Sequence, residues 1–211
     1  MCVTLGEARL SQTTLYVGVS KAFTGDHRDI HVCGYQNRVE NGPAGKVMMK
    51  FRRNMRTENS GNAMILPFPA IPGTMSQKNF LTGMDACPHV LQDMAATIKS
   101  EARSLSLGIE KSSSVEIFEL DIYTVILAQN ARLIPDAILG VREDKRPPLK
   151  PNIFLAYDRW YPDWPVAVCC FNNKEGAFAN PIMVPYEPLW PEFLFAPALD
   201  CHTGDVPNLN T

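Results

Sequence analysis

The sequence predicts a single α+β domain over residues 1–211, with a mixed, mostly antiparallel sheet packed by one long and two short helices. Three observations predict it. β-forming segments crowd the first third, one strongly periodic helical segment follows them, and the last third pairs a buried-strand pattern with proline-rich chain. Strands and helices are partly segregated rather than alternating, which favours α+β over a doubly wound fold. A division into 1–110 and 115–211 is a possible internal sub-structure.

Residues 2–9 and 12–19, the latter with Leu15-Tyr16-Val17-Gly18-Val19, read as two strands parted by the polar pair Ser11-Gln12, a hairpin or meander. Ile30 to Asn37 is a third strand and Val47 to Phe51 a fourth. Ala63-Met64-Ile65-Leu66-Pro67-Phe68-Pro69 is a short buried strand. Its prolines cannot donate to a ladder, so it ends there or runs along an edge. The long helix opens at Pro88 and carries Leu91, Met94, Ala95, Ile98, Ala102 and Leu105 at helical spacing.

Val115 to Leu127 holds two β-like pieces, the second dense enough for a central strand. Ala131 to Leu139 reads as a short helix with Pro135 in its first turn. Residues 142–151 form a polar connector, and Asn152 caps a second short helix running to about Tyr161. Val166 to Phe171 is another buried strand. Six prolines between Pro181 and Pro207 make the carboxyl-terminal segment extended coil with at most edge strands.

Hydrophobic residues make up 45% of the chain and charged residues 20%, the balance of a globular protein rather than a disordered one. A net charge of −2 gives no global field toward nucleic acid or anionic lipid. No basic n-region opens the chain, and no apolar run approaches the roughly 20 residues that span a bilayer. Six scattered cysteines are neither dense nor spaced like a disulfide scaffold. A soluble, cytoplasmic protein with free thiols is the expectation, with no membrane partner.

The order of motifs resembles a bacterial family known as a domain of unknown function. Its members open on a cysteine-bearing strand and pass to a Val-Pro-Val-Pro-like strand end, which Met64 to Pro69 matches. Asp121 to Leu127, Pro147-Pro148, Tyr157 and Trp164-Pro165-Val166-Ala167-Val168 look like the family's later block. The likeness spans roughly residues 2 to 171. This chain departs from the family by lacking an export signal. The resemblance implies a fold and carries no activity.

No Gly-rich phosphate loop, Gly-x-Ser-x-Gly elbow or His-Glu-x-x-His helix is present, and no cofactor is implied. Four constellations remain. Cys2 follows the initiator methionine, whose removal would give an amino-terminal cysteine with its own α-amine as base, as in thiol hydrolases of the amino-terminal nucleophile type. The alternative is a small, buried strand residue. His31-x-Cys33, with Cys201-His202, and with Asp26 and His27 nearby in sequence, could close a four-ligand zinc set. Unrelated core cysteines and surface histidines also account for that pattern.

Lys46, Lys50, Arg52, Arg53 and Arg56 could hold phosphate or nucleic acid, although Glu58 and the overall charge favour a solvated hairpin tip. Finally, Tyr157, Trp160, Tyr161, Trp164, Tyr186, Trp190, Phe193 and Phe195 lie among prolines. Buried, they form a second core; exposed, they make a partner or sugar surface. Cys169-Cys170 should point to opposite faces of a strand, too strained for a mutual disulfide. The leading expectation is a binding or interaction domain that meets a protein partner through its Pro/aromatic carboxyl-terminal third. A Cys2 hydrolase and a phosphate-binding basic segment are the alternatives.

Overall fold

The computed structural model describes residues 2–3, 9–20, 29–40, 61–82, 113–172, 179–197, 199 and 204–206, with the backbone alone at 2–3, 9–13 and 37–40. Among the described residues are nine strands and two helices. The strands are β1 (Cys2–Val3), β2 (Arg9–Ser20), β3 (Ile30–Glu40), β4 (Asn62–Pro67), β5 (Leu81–Thr82), β6 (Val115–Leu120), β7 (Tyr123–Ala128), β8 (Val166–Phe171) and β9 (Ile182–Tyr186). The helices are α1 (Ile134–Ala137), flanked by 3-10 turns, and α2 (Pro151–Trp160).

The α+β class is as expected. Every described ladder is antiparallel, and the strands form two sheets instead of one mixed sheet. The first has the order β1-β4-β8-β7-β6 and the second β2-β3-β9-β5. The two short helices are present, while the long helix expected from Pro88 and the strand expected at 47–51 lie outside the described residues. Among the described residues, no helix is long and apolar enough to cross a membrane.

The two sheets face each other across one core. From the first sheet come Met64, Leu66, Val125, Leu127, Cys169 and Phe171; from the second come Cys33, Tyr35, Ile182, Val184 and Tyr186. Alternation sends Ala63, Ile65, Ile126, Val168 and Cys170 to the other face of the first sheet. There they pack on Ile134, Ile138, Ile153, Phe154 and Tyr157 of the helical layer. Strands β4, β7 and β8 are therefore covered on both faces. That is why they read as continuous apolar runs and not as alternating ones.

Cys169 and Cys170 fall in different cores, as their adjacent strand positions require, and neither is in a disulfide. Burial pushes the Cys170 thiol up to about 12. At one end of the helix-side layer sits Lys145, a buried lysine whose Nζ donates to the Ile122 carbonyl at 2.8 Å and to Glu119 at 3.3 Å. A buried ammonium needs such partners. Gly61 crosses beneath it so closely that a Cβ there would stand 2.0 Å from the Lys145 carbonyl oxygen.

Further expectations are corrected. The described parts of the expected hairpin, β1 and β2, do not pair with each other: β1 pairs with β4 in one sheet and β2 with β3 in the other. Ser11-Gln12 is no turn but lies at a register shift inside β2, where a bulge absorbs the polar residues. Strand β4, by contrast, ends at its proline as expected, stopping at Pro67, and lies inside its sheet. Helix α2 begins at Pro151, whose missing N–H suits the first helical position, so Asn152 lies inside it.

The largest correction concerns β9, an interior strand in a segment expected to be extended coil with at most edge strands. Pro185 is tolerated because its carbonyl accepts Asn79 Nδ2–H at 2.8 Å on the side of β5. Its backbone thus faces past the end of that two-residue strand, where no ladder N–H is required.

Candidate recognition surface

The carboxyl-terminal aromatics gather around the end of α2. Ile153, Phe154 and Tyr157 recur at helical spacing and bury one face of the helix. That phase brings Tyr157, Trp160 and Tyr161 together where the helix ends, with Tyr157 5.9 Å from Trp160 and 5.7 Å from Tyr161 between ring centroids. Pro162 cannot continue the helix. Asp163 turns the chain at φ 60°, in the left-handed region that a short polar side chain tolerates. Trp164 folds back onto Tyr161 at 5.0 Å.

From Trp164 the rings run outward. Phe195 meets it edge-on at 5.1 Å and 90°, and Trp190 lies 5.8 Å away. Phe195 also touches Tyr161 at 5.6 Å. Each such pair adds roughly 0.5–1.5 kcal/mol beyond its area burial. Burial of Tyr161 raises its phenol above the ordinary tyrosine range, so the hydroxyl stays neutral.

The turn that carries Trp190 is clamped from below. Leu189 N–H donates to the Pro69 carbonyl at 2.8 Å, Ile71 N–H to Glu187 at 2.9 Å, and Phe193 N–H closes onto the Trp190 carbonyl at 3.2 Å. The buried His31 ring adds a fourth tie, with Nε2 3.1 Å from the Pro191 carbonyl oxygen. On this fixed base Trp190 is 46% exposed, Phe193 68% and Leu194 50%. Three large apolar side chains within five residues face water from a held backbone. Clustered exposure of this kind marks contact surfaces, whereas singly scattered apolar residues do not.

The expected aromatic set is thus neither wholly buried nor wholly exposed. Tyr186 belongs to the inter-sheet core, Tyr157 to the helix-side core, and Trp160, Tyr161, Trp164 and Phe195 are half-buried between core and surface. Leu194 joins the exposed group without having been singled out. Its signal was a position between two aromatics in a proline-bounded segment. The role of His31 was also missed, although a lone imidazole between Ile30 and Val32 was the visible sign of a buried polar group.

Among the described residues, the remaining candidates are not brought together. His31 and Cys33 share the inner face of β3, as alternation demands, and burial pushes the Cys33 thiol up to about 12. Cys201 and His202 lie outside the described residues, as do Asp26 and His27 and the basic residues Lys46, Lys50, Arg52, Arg53 and Arg56. Among the described residues no group of three or more His, Cys, Asp or Glu is placed to hold a metal ion. Cys2 stands opposite Met64 in the β1–β4 ladder. No protein-family model, curated protein or solved structure matches the chain.

Proposed function

We propose that the protein is an interaction domain that inserts Trp190, Phe193 and Leu194 as a knob into an apolar pocket of a protein partner. The observation that carries this reading is the joint exposure of those three side chains on a turn tied down at its base. Protruding aromatics with little conformational freedom are the residues that dominate binding energy when a pocket desolvates them. A pre-formed turn spares most of the ordering cost of association.

The test places a photo-cross-linking residue at Phe193 in the natural host, with a control at Leu139, which is 65% exposed on the helical layer. One partner species should be captured at Phe193 and not at Leu139. With that partner purified, Trp190→Ala should weaken binding by about 30-fold, the effect of a hot spot of about 2 kcal/mol. Equal affinity for parent and Trp190→Ala/Phe193→Ala would refute the reading.

A second reading, the Cys2 thiol hydrolase, rests on Cys2 following the initiator methionine at the start of β1. Position 2 continues a cross-strand row with Met64, Cys169 and Val125. The sheet facing that row carries Cys33 in the shared core. Met1 must be removed for this chemistry, and Cys2 should then react with iodoacetamide faster than Cys33 or Cys170, whose burial disfavours the thiolate. Intact mass of protein from its natural host decides it: a retained Met1 eliminates the hydrolase.

A further inference from the structure

Trp190, Phe193 and Leu194 are apolar, yet the chain around them carries charge of one sign. No Lys or Arg follows Lys174, while Glu175, Glu187, Glu192, Asp200 and Asp205 do. Two of these carboxylates, Glu187 and Glu192, flank Trp190 in the held turn. Glu192 is exposed and stands between Trp190 and Phe193 in the chain. Glu187 is half-buried, its carbonyl accepting Ile71 N–H at 2.9 Å. A third carboxylate comes from a distant part of the chain. Asp163, exposed at its φ of 60°, directly precedes Trp164, whose ring lies 5.8 Å from that of Trp190.

The elements packed against the turn bring little positive charge to balance these groups. Pro69 to Ile71, which carry the backbone ties to Glu187 and Leu189, have no charged side chain. The end of α2 that supplies Trp160 and Tyr161 has one exposed cation, Arg159; the neighbouring Asp158 is already met by Arg132 at 2.6 Å. Among the described residues no cation pairs with Glu192 or Asp163.

An apolar projection ringed by carboxylates selects its partner by charge. Closing a neutral or acidic surface over it would desolvate Glu192 without compensation or set like charges together. A basic surface supplies the missing counter-charge. The exposed indole of Trp190 adds to that preference, because the negative face of its ring attracts Lys and Arg.

We infer that the partner is a basic protein, whose Lys and Arg side chains rim the apolar pocket that receives Trp190, Phe193 and Leu194. That identity rests on the recognition surface proposed above and specifies what it recognises. The enclosed side chains set how long the complex lasts. Glu187, Glu192 and Asp163 stay at the wet rim, where charge sets the rate of encounter and turns away acidic competitors.

The probe is a display library of random disulfide-closed peptides, selected on the full chain at about 0.05 M salt, where exposed charges are weakly screened. Enriched peptides are sorted by whether they still bind Trp190→Ala/Phe193→Ala. Those that need the two rings should carry more Lys and Arg than Asp and Glu beside their apolar residues. The tightest of them, synthesised and followed by fluorescence anisotropy, should lose about tenfold in affinity when salt is raised to about 0.5 M. Glu192→Lys, with the circular dichroism of the parent, should weaken it about threefold to tenfold at the lower salt and hardly at the higher.

Ring-dependent peptides that are neutral or acidic, or a Glu192→Lys variant that binds them as the parent does, overturn the basic partner and leave the recognition surface standing. If no enriched peptide depends on the two rings, the surface and its basic partner fall together. Two further measurements exclude other occupants. Self-association that Trp190→Ala abolishes, seen by sedimentation of the full chain, would name a second copy instead. A Trp190-dependent emission shift with phosphatidylcholine vesicles would name a lipid surface. Either result overturns the basic protein.

Discussion

Two sets of aromatic rings in this molecule share a chemistry and differ in what surrounds them. Between the sheets, Phe68 meets Phe80 at 6.2 Å and Tyr186 at 5.6 Å, Phe80 meets Phe118 at 5.3 Å, and Tyr123 meets Phe171 at 5.7 Å, all edge-on and all buried. Around the end of α2, Tyr157, Trp160, Tyr161, Trp164 and Trp190 meet at tilted angles and Phe195 meets Tyr161 and Trp164 edge-on, and their burial falls from complete at Tyr157 to only a little over half at Trp190. The first set mostly sits on or beside regular strands, whose alternation delivers each ring to the core. The second sits mostly at a helix end and in proline-rich turns, where nothing periodic dictates which way a ring points. Ring contacts alone therefore do not tell which rings belong to a core; the gradient of exposure does.

The comparison breaks first, and by the largest amount, at Phe68. Truncation to Ala should destabilise the fold by about 3–5 kcal/mol, because a fully enclosed ring loses both its transfer energy and its packing partners. Trp164→Ala should cost roughly 2 kcal/mol, since the half-buried ring forfeits contacts to Tyr161, Trp190 and Phe195. Trp190→Ala should cost about 1 kcal/mol or less while weakening the binding proposed for the turn by about 30-fold. Urea denaturation of the three variants measures the series. If Trp190→Ala proves as damaging as Phe68→Ala, the turn is part of the core and its exposure is incidental.

The same contrast separates what the sequence could and could not reveal. Strands β4, β7 and β8 are legible because coverage on both faces demands near-continuous apolar residues, and α1 with Pro135 in its first turn is legible from proline chemistry. Strand β9 was not, because the usual exclusion of proline from interior strands fails where the neighbour is only two residues long and Asn79 caps the Pro185 carbonyl. The bulge at Ser11 to Thr14 likewise imitates a turn, since polar residues suit both. For the candidate surface, the residue types were legible and their exposure was not. Whether Trp190 faces Trp164, water or both depends on ties from Pro69 and His31, far away in sequence.

A smaller effect sharpens the frame beneath both ring sets. Gly61 must lack a Cβ because the 142–146 turn passes across it, with the Lys145 backbone in the way. Gly61→Ala should destabilise by about 1–3 kcal/mol, the usual range for forcing atoms into a packed site. It should do so without altering the emission of the ring cluster at neutral pH, since the crossing lies at Lys145 and not at α2. Thermal unfolding with tryptophan and far-ultraviolet probes measures both. A variant as stable as the parent would mean that the turn can lift away, and that the Lys145 ties to Glu119 and Ile122 are not constraining it.

The smallest effect is expected from charge at the surface. Arg142 donates to both oxygens of Asp144, from Nε at 2.9 Å and Nη2 at 2.5 Å, and this holds the carboxyl down to about 2. The Asp144 side chain is 45% exposed, so water and salt screen most of that interaction, and its contribution should stay below about 1 kcal/mol. A carboxylate depressed in the folded state stabilises above its unfolded value of about 3.9 and loses that contribution as pH falls toward 2. Asp144→Asn should therefore lower the urea midpoint slightly at pH 6, and the gap to the parent should close between about pH 4 and pH 2. It should also shrink in 1 M salt, where the Debye length drops to about 3 Å. A gap that persists unchanged at low pH would mean that Asp144 acts through its 3.5 Å hydrogen bond from Asn172 rather than through its charge. Either outcome leaves the rings as the larger contributors, because an exposed ion pair cannot match an enclosed aromatic side chain in energy.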